Sequence, residues 1–483
     1  MRDVILELWP HFVGGLSIVL SLLASGHAVL RKRDGRAAVG WVGLIWLVPF
    51  VGVILYGLLG INRIRRRALE LRSERWRMDY TVGAHVCTSA DFAATVGLQD
   101  AHLARLATLG NAVTDSCLIS GNSVEPLIDG EQAYPAMLAA IEQATTSISL
   151  ASYIFDNDEL GQRFVRALRG AVDRGVEVRV LIDAVGARYS FPPIHWALRH
   201  AKVPVARFLP TISPASLFFL NLRSHRKIMV IDGQRGFMGG MNLRHGHLAS
   251  ENAPNRIRDV HFKITGPIVA ELQRTFVEDW AFTTKEVLQG YAWFPTLTAT
   301  GNCLARGIGD GPDDEIENLQ TLFLGAISAA QTSIKIVTPY FLPDQALVAA
   351  LAVAALKGVS VDIVLPAKNN ITLVQWAMQA ILWQVLAPGC NVYASPPPFD
   401  HSKLFIVDDI WALVGSSNWD ARSLRLNFEF NLECYDRHLV ETLSQHVKSK
   451  IQSARCITLQ DMDARRLPIR VRDGMARLFA PYL

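Results

Sequence analysis

The sequence predicts an α/β protein of two duplicated halves. Each half is a mixed β-sheet flanked by helices, the halves pack with a shared site at their interface, and a two-helix transmembrane hairpin precedes them. Three observations carry this expectation. A His-x-Lys-x₄-Asp string occurs twice, as His225-Arg226-Lys227 with Asp232 and as His401-Ser402-Lys403 with Asp408, 176 residues apart. Each copy runs into a glycine-rich turn ending in asparagine, Gly239-Gly240-Met241-Asn242 and Gly415-Ser416-Ser417-Asn418, and these asparagines are also 176 apart. Two long apolar runs open the chain.

The hairpin is expected over 1–62, with spans at about 10–30 and 38–60. Phe12 to Leu30 and Ala37 to Ile61 are 19 and 25 residues without Asp, Glu, Lys or Arg. A helix of about 20 apolar residues crosses a hydrocarbon layer of roughly 30 Å. Only Arg31 to Arg36 separate the runs, and Trp9, Trp41, Trp46 and Tyr56 suit interfacial anchoring. A cleaved signal peptide competes for the first run, because Ala24-Ser25-Gly26 resembles a small-residue cleavage site. The mixed start (Arg2, Asp3, Glu7) and the immediate second run oppose that reading, and the length of the second run opposes a buried core helix. Orientation stays open. The basic residues of the turn nearly balance Arg2 with Arg63, Arg65, Arg66 and Arg67. Six scattered cysteines without a C-x-x-C read as unpaired thiols of a reducing compartment, which leans the larger part towards the cytoplasm.

Charge narrows the class of partner. Residues 1–70 carry +5 and the whole chain +4, so residues 71–483 stand at −1. A surface that holds a nucleic-acid backbone is clearly basic, so no nucleic-acid partner is expected.

Segment 63–110 reads as a polar connection, 111–290 as the first half and 291–483 as the second, with the motif regions at about 219–246 and 395–422. Ala144-Thr145-Thr146-Ser147-Ile148-Ser149-Leu150 with Tyr153-Ile154-Phe155 resembles Ala330-Gln331-Thr332-Ser333-Ile334-Lys335-Ile336 with Tyr340-Phe341. A helix-like stretch follows each, then Arg174-Gly175-Val176-Glu177-Val178 against Lys357-Gly358-Val359-Ser360-Val361. Each half therefore reads strand, helix, strand, an intervening segment and the His-Lys strand. Val/Ile-rich strands alternating with helices indicate a sheet buried on both faces. Packed face to face, the halves would bring both motifs to one seam.

The residue types suit attack on a phosphodiester. A neutral imidazole escapes the repulsion that an anionic nucleophile meets at phosphorus, and it can form a covalent phosphohistidine. A second imidazole, protonated, supplies a proton to the leaving alkoxide. Lysines and asparagines stabilise charge on the non-bridging oxygens. One motif copy cannot perform both histidine roles. Alternate residues of a strand share a face, so His and Lys of each motif reach the site together. Asp232 and Asp408 fall at the strand ends, where they fix a turn or pair with a nearby cation. A lone histidine would read as a satisfied core residue; two copies in register do not.

Beyond the motifs, the chain resembles the bacterial cardiolipin synthases of the phospholipase D superfamily from the hairpin to the C-terminus. The likeness runs through Gly121-Asn122-Ser123-Val124, Asp129-Gly130, Asn221-Leu222-Arg223-Ser224, Arg258-Asp259-Val260-His261, Gly266-Pro267 and Asp279-Trp280. It continues through Thr338-Pro339-Tyr340-Phe341-Leu342-Pro343-Asp344, Asn418-Trp419-Asp420-Ala421-Arg422-Ser423 and Asn427-Phe428-Glu429. The resemblance implies a phosphatidyltransferase of the inner membrane, multi-pass, whose partners are phosphatidylglycerol and membrane lipids. It would turn two phosphatidylglycerol molecules into cardiolipin and glycerol, with no cofactor and no metal. It also implies His225 as nucleophile and His401 as general acid and base. Lys227, Lys403, Asn242 and Asn418 would hold phosphate oxygens, and Asp259 and Glu429 would orient the imidazoles unless they are merely solvated acids. A phospholipase D, or a transferase with another alcohol acceptor, shares all of these residues; a catalytically dead scaffold would need neither pair. One departure is Asp400, where the family usually has an apolar residue. That anion would either raise the pKa of His401 or point away. Two apolar segments, 214–220 and Val374 to Leu386, fit either lipid contact or ordinary core packing.

Overall fold

A computed structural model describes residues 2–32, 35–60, 85–114, 116–210, 222–248, 256–311 and 317–482. Turn residues Arg33 and Asp34, the basic cluster Arg63 to Arg67, most of the expected connection and the apolar 214–220 segment lie outside these residues. The described residues divide into two compact units, 2–60 and 85–482.

In the first unit, Arg2–Arg31 is one helix, of which His11–Arg31 has the length and apolarity to cross a membrane, with mean hydropathy 1.8. The second apolar run is helical in pieces, Gly35–Leu47 and Pro49–Leu55. Proline has no N–H to donate and its ring clashes with the preceding turn, so Pro49 closes one helix and opens the next. The expected continuous second span is therefore interrupted. Polar side chains pair between the helices. His27 shares a 2.7 Å hydrogen bond with the Tyr56 hydroxyl, and Trp46 donates to Ser25 at 3.1 Å. Leu16, Val19, Leu22, Leu23 and Ile54 are exposed, the reverse of a soluble helix pair.

The second unit shows the duplication as topology. Its centre is an antiparallel pair, Ile119–Ile128 with Cys303–Asp310. Outward from it the first half continues through Val260–Thr265, Arg235–Gly239, Ile228–Ile231, Ser147–Ser152, Glu177–Asp183 and Val205–Phe208. The second half continues through Asn427–Tyr435, Trp411–Gly415, Leu404–Val407, Ser333–Val337, Ser360–Pro366 and Asn391–Ser395. The two series match step for step, and the second half then adds an antiparallel edge strand, Arg455–Ile457, beyond Asn391–Ser395. Both switch from antiparallel to parallel pairing after the same strand.

Period-two alternation explains the packing. Ile228 and Val230 of the first half join Leu404 and Ile406 of the second in one shared apolar cluster. Met229 and Ile231 face the first half's own core, and Phe405 and Val407 face the second's. Each motif strand is thus buried on both faces, and register is strongly specified, since a one-residue slip would exchange the two faces. A bulge between Ile119 and Asn122 in the long central strand marks where the chain passes from one half's sheet to the other's.

Val374 to Leu386 belongs to the second half's core. Val374, Ala377, Met378, Ile381, Leu382 and Val385 are all buried there, so of the two readings ordinary packing accounts for most of the segment, while Trp383 is 52% exposed.

Candidate active site

Each motif histidine is placed by the opposite half. The short Arg223–Ser224 strand pairs in parallel with Asn427 and Phe428, and the His225 N–H donates to the Phe428 carbonyl at 2.9 Å. Phe399–Asp400 pairs in parallel with Ile257–Arg258, and the His401 N–H donates to the Arg258 carbonyl at 2.7 Å. The next residue on each receiving strand is a carboxylate. His225 Nδ1 meets both oxygens of Glu429 at 3.0 Å, and His401 Nδ1 meets Asp259 at 2.9 Å. With Nδ1–H engaged in this way, each imidazole keeps Nε2 free of its proton. The glycine-rich turn has its reason here, because a Cβ on Gly240 would stand 2.6 Å from the Asp259 carboxylate.

Both histidines line one cleft of about 330 Å³ together with Asn242 and Asn418. Asn242 accepts from the Ile154 N–H at 3.1 Å, and Asn418 donates to the Ser423 hydroxyl at 3.2 Å. Lys227 and Lys403 are buried beneath the lining. Lys227 donates to the His225 carbonyl at 2.6 Å, and Lys403 donates to the His401 carbonyl. Asp232 and Asp408 sit at the far ends of the motif strands from the imidazoles. Asp232 accepts the N–H groups of Thr145, Thr146 and Ser147 at 2.8–3.1 Å, and Asp408 accepts those of Gln331, Thr332 and Ser333 at 2.8–2.9 Å. These two carboxylates clamp the turns that enter the neighbouring strands.

Burial dominates the electrostatics. It pushes both imidazoles below their ordinary pKa, His401 furthest, with the nearby lysines adding to the effect there. It also lowers Lys227 to about 7 and Lys403 to about 8. Burial raises Asp259 to about 6; at Glu429 burial also pushes upward, but the charge and hydrogen bond of His225, with Lys227 and Ser416, together outweigh it and hold the carboxyl below its usual value. Asp400 turns away from the site. It pairs with buried Lys450 and accepts from the Ser402 hydroxyl at 2.6 Å. Burial alone would raise its pKa, but Lys450 and Ser402 bring it down to about 2. Asp400 still draws the His401 pKa upward as an anion beside it would, but burial and the two lysines outweigh that pull and His401 stays well below its ordinary value. Among the described residues no group of three or more His, Cys, Asp or Glu could hold a metal ion.

Several cleft residues escaped the sequence reading. Tyr153 lies edge-on to His225 at 5.1 Å and Tyr340 edge-on to His401 at 6.3 Å. Their matching places in the two repeats were the available signal. His247 stands 6.4 Å from the His401 ring, held near pKa 3 by burial. Arg223, Arg244 and Arg422 give the cleft a basic lining. Asn427 donates to Glu429 at 3.0 Å and so supports the carboxylate that holds His225.

A family model described as cardiolipin synthase, PLD-like domain, matches residues 137–280 and 323–451. A second, phospholipase D-nuclease N-terminal, matches 19–60. The chain is 32% identical to a cardiolipin synthase A of Pseudomonas entomophila, covering 98% of this chain and 99% of the relative. It is also 32% identical to the major cardiolipin synthase of Bacillus subtilis, covering 97% and 98%. A phosphatidylserine synthase structure from Haemophilus influenzae shares the fold, with TM-score 0.61 at 15% identity, covering 78% of this chain and all of that one. Together with the apolar His11–Arg31 helix, these likenesses point to a membrane-associated bacterial phosphatidyltransferase acting on phospholipids.

Proposed function

Since the chain belongs to the cardiolipin synthase family of the phospholipase D superfamily, we propose that it transfers a phosphatidyl group between two phosphatidylglycerol molecules. The products are cardiolipin and glycerol. His225 Nε2 attacks phosphorus and the bond to the departing glycerol oxygen breaks. The protonated Nε2 of His401 gives that oxygen its proton. Neutral His401 then takes the proton of a hydroxyl on the second phosphatidylglycerol; the freed oxygen attacks phosphorus and expels His225. One phosphodiester replaces another, so the reaction is reversible.

Lys227, Lys403, Asn242 and Asn418 hold the non-bridging oxygens in this scheme, and each lysine leaves a histidine carbonyl to do so. Asp259 and Glu429 are positioning residues that set each tautomer. A substrate phosphate beside His401 restores the protonation that burial opposes. The assignment of His225 as nucleophile is supported by its partner. Glu429 keeps its charge more readily than Asp259, and a charged acceptor on Nδ1 raises the basicity of Nε2.

The domains in this reading are a hairpin over 1–62, a connection over 63–110 and halves at 111–290 and 291–483. Both apolar runs are placed in the inner membrane, the second crossing despite its break at Pro49. The observation that carries the proposal is the pair of crossed carboxylate–imidazole contacts opening onto one cleft. Purified protein given labelled phosphatidylglycerol should release glycerol and form cardiolipin, with chelator present or absent. Phosphatidic acid as the main product would favour a phospholipase D, the reading with water as acceptor. Loss of activity on chelation, restored by a divalent ion, would contradict the metal-free scheme.

A further inference from the structure

We propose that the C-terminal helix, Leu467–Arg477, lies flat on an anionic bilayer surface and holds the rim of the active-site cleft against the lipid. Leu467, Val471, Met475 and Leu478 recur at helical spacing and are 72%, 52%, 61% and 76% exposed. At 100° per residue these four fall within a stripe about 80° wide. A helix of a soluble protein turns such a stripe to its core. This one turns it to the outside, and Phe479 extends it.

The outward direction is fixed by what the other face does. Asp473 and Ala476 are buried, and Asp473 accepts from Arg465 at 2.9 Å and from Arg472 at 2.7 Å. The Arg472 guanidinium stacks 4.4 Å from the Trp376 ring, which pins the helix to the Thr372–Gln379 helix. The apolar stripe is therefore presented by a docked element.

Charge selects the occupant. Residues 464–482 hold five arginines and one aspartate, net +4, against −1 for residues 71–483 as a whole. Exposed Arg466 and Arg470 flank the stripe, the pattern of a helix that sinks an apolar face among anionic headgroups. Continuity with the cleft points the same way. The Thr372–Gln379 helix carries Val374 of the cleft lining, and Ile371 just before it is both lining and half exposed. The closing turn Ala480–Tyr482 packs on the Ala421–Arg425 helix, which carries Arg422 and Ser423 of the same lining. A cleft of this size takes a headgroup, so the acyl chains must stay in a bilayer next to its mouth. That last point rests on the phosphatidyl-transfer reading; the stripe and its charge do not.

The test uses the full chain reconstituted in phosphatidylcholine vesicles containing phosphatidylglycerol and a fixed share of phosphatidylserine. A variant with Leu467→Ser, Val471→Ser, Met475→Ser and Leu478→Ser should lose roughly tenfold or more of its vesicle activity, yet stay within about twofold of the parent on short-chain phosphatidylglycerol in detergent. Equal loss in both, or no loss in vesicles, overturns the proposal. So does a parent that is dimeric in detergent and becomes monomeric in the variant, because the stripe would then seat a second copy. Independently of turnover, Met475→Cys with Cys87, Cys117 and Cys456 replaced by serine can carry a polarity-sensitive fluorophore. Its emission should shift to the blue in vesicles, and more so as phosphatidylserine increases. Emission unchanged by vesicles overturns the inference even if cardiolipin is made. A blue shift without cardiolipin formation leaves the docking surface standing and removes the proposed reaction.

Discussion

The His225 imidazole is gripped by Glu429, 204 residues further along the chain and in the opposite half, with Nδ1 3.0 Å from each carboxylate oxygen. His401 and Asp259 make the reciprocal contact at 2.9 Å. Neither half can orient its own histidine. The duplication is thus an exchange as well as a repeat, and the positioning carboxylates are predicted to act on the other half's chemistry.

Glu429→Gln should cut kcat by about 10²–10⁴-fold with little change in KM, because a neutral amide neither enforces the tautomer nor stabilises the imidazolium. Asp259→Asn should do the same through His401. Steady-state kinetics on phosphatidylglycerol vesicles decide it, and kcat within about threefold of the parent for both would remove the orienting role.

His225→Ala and His401→Ala should each abolish transfer, but they differ in what they trap. With a phosphorus-labelled phosphatidyl p-nitrophenol, whose leaving group needs no proton from His401, His401→Ala should accumulate acid-labile label on the protein and His225→Ala none. Label on the His225→Ala variant alone would exchange the two roles.

The pH profile follows from three buried groups. Burial raises Asp259 to about 6, so below that pH its carboxyl gains a proton and stops accepting from His401. Burial lowers Lys227 to about 7 and Lys403 to about 8, so above that range the ammonium charges are lost in the free enzyme. A bell in kcat/KM with limbs near these values is expected, and Asp259→Asn should flatten the acid limb. Stability has its own sign. The unfolded lysines hold protons that the folded ones have released between about pH 7 and 10.5, so these two groups make stability rise with pH across that window. Lys227→Met should shrink the rise in melting temperature between pH 7 and 10. An unchanged rise would show that the lysine is solvated.

Asp400→Leu alone should cost about 3–5 kcal/mol by stranding the buried Lys450 ammonium, whereas Asp400→Leu with Lys450→Met should be close to neutral. Thermal melting of the two variants measures this. A double variant as unstable as the single one would mean that Asp400 serves more than its cation.

Asp232→Asn should lower stability rather than rate, since its carboxylate accepts three consecutive backbone N–H groups at a strand entry. Reduced yield of folded protein with kcat within about threefold of the parent is the expected result. Normal stability with lost turnover would place this residue in the chemistry after all.

Much of this was legible in one dimension because it is periodic or duplicated. The spacing of His225, Lys227 and Asn242 against His401, Lys403 and Asn418 is a property of the chain, as are the alternating strands behind them and the apolar run that forms the His11–Arg31 helix. What the chain could not disclose is long-range. Which carboxylate serves which histidine depends on two short strands crossing between halves. Whether Asp400 faces the site depends on Lys450, 50 residues away. Whether an apolar segment is core or surface depends on its neighbours, which is why Val374, Ala377, Met378, Ile381, Leu382 and Val385 are buried while the Leu467–Arg477 stripe is bare. Local sequence sets a side chain's period and direction; only the folded chain decides what stands opposite it.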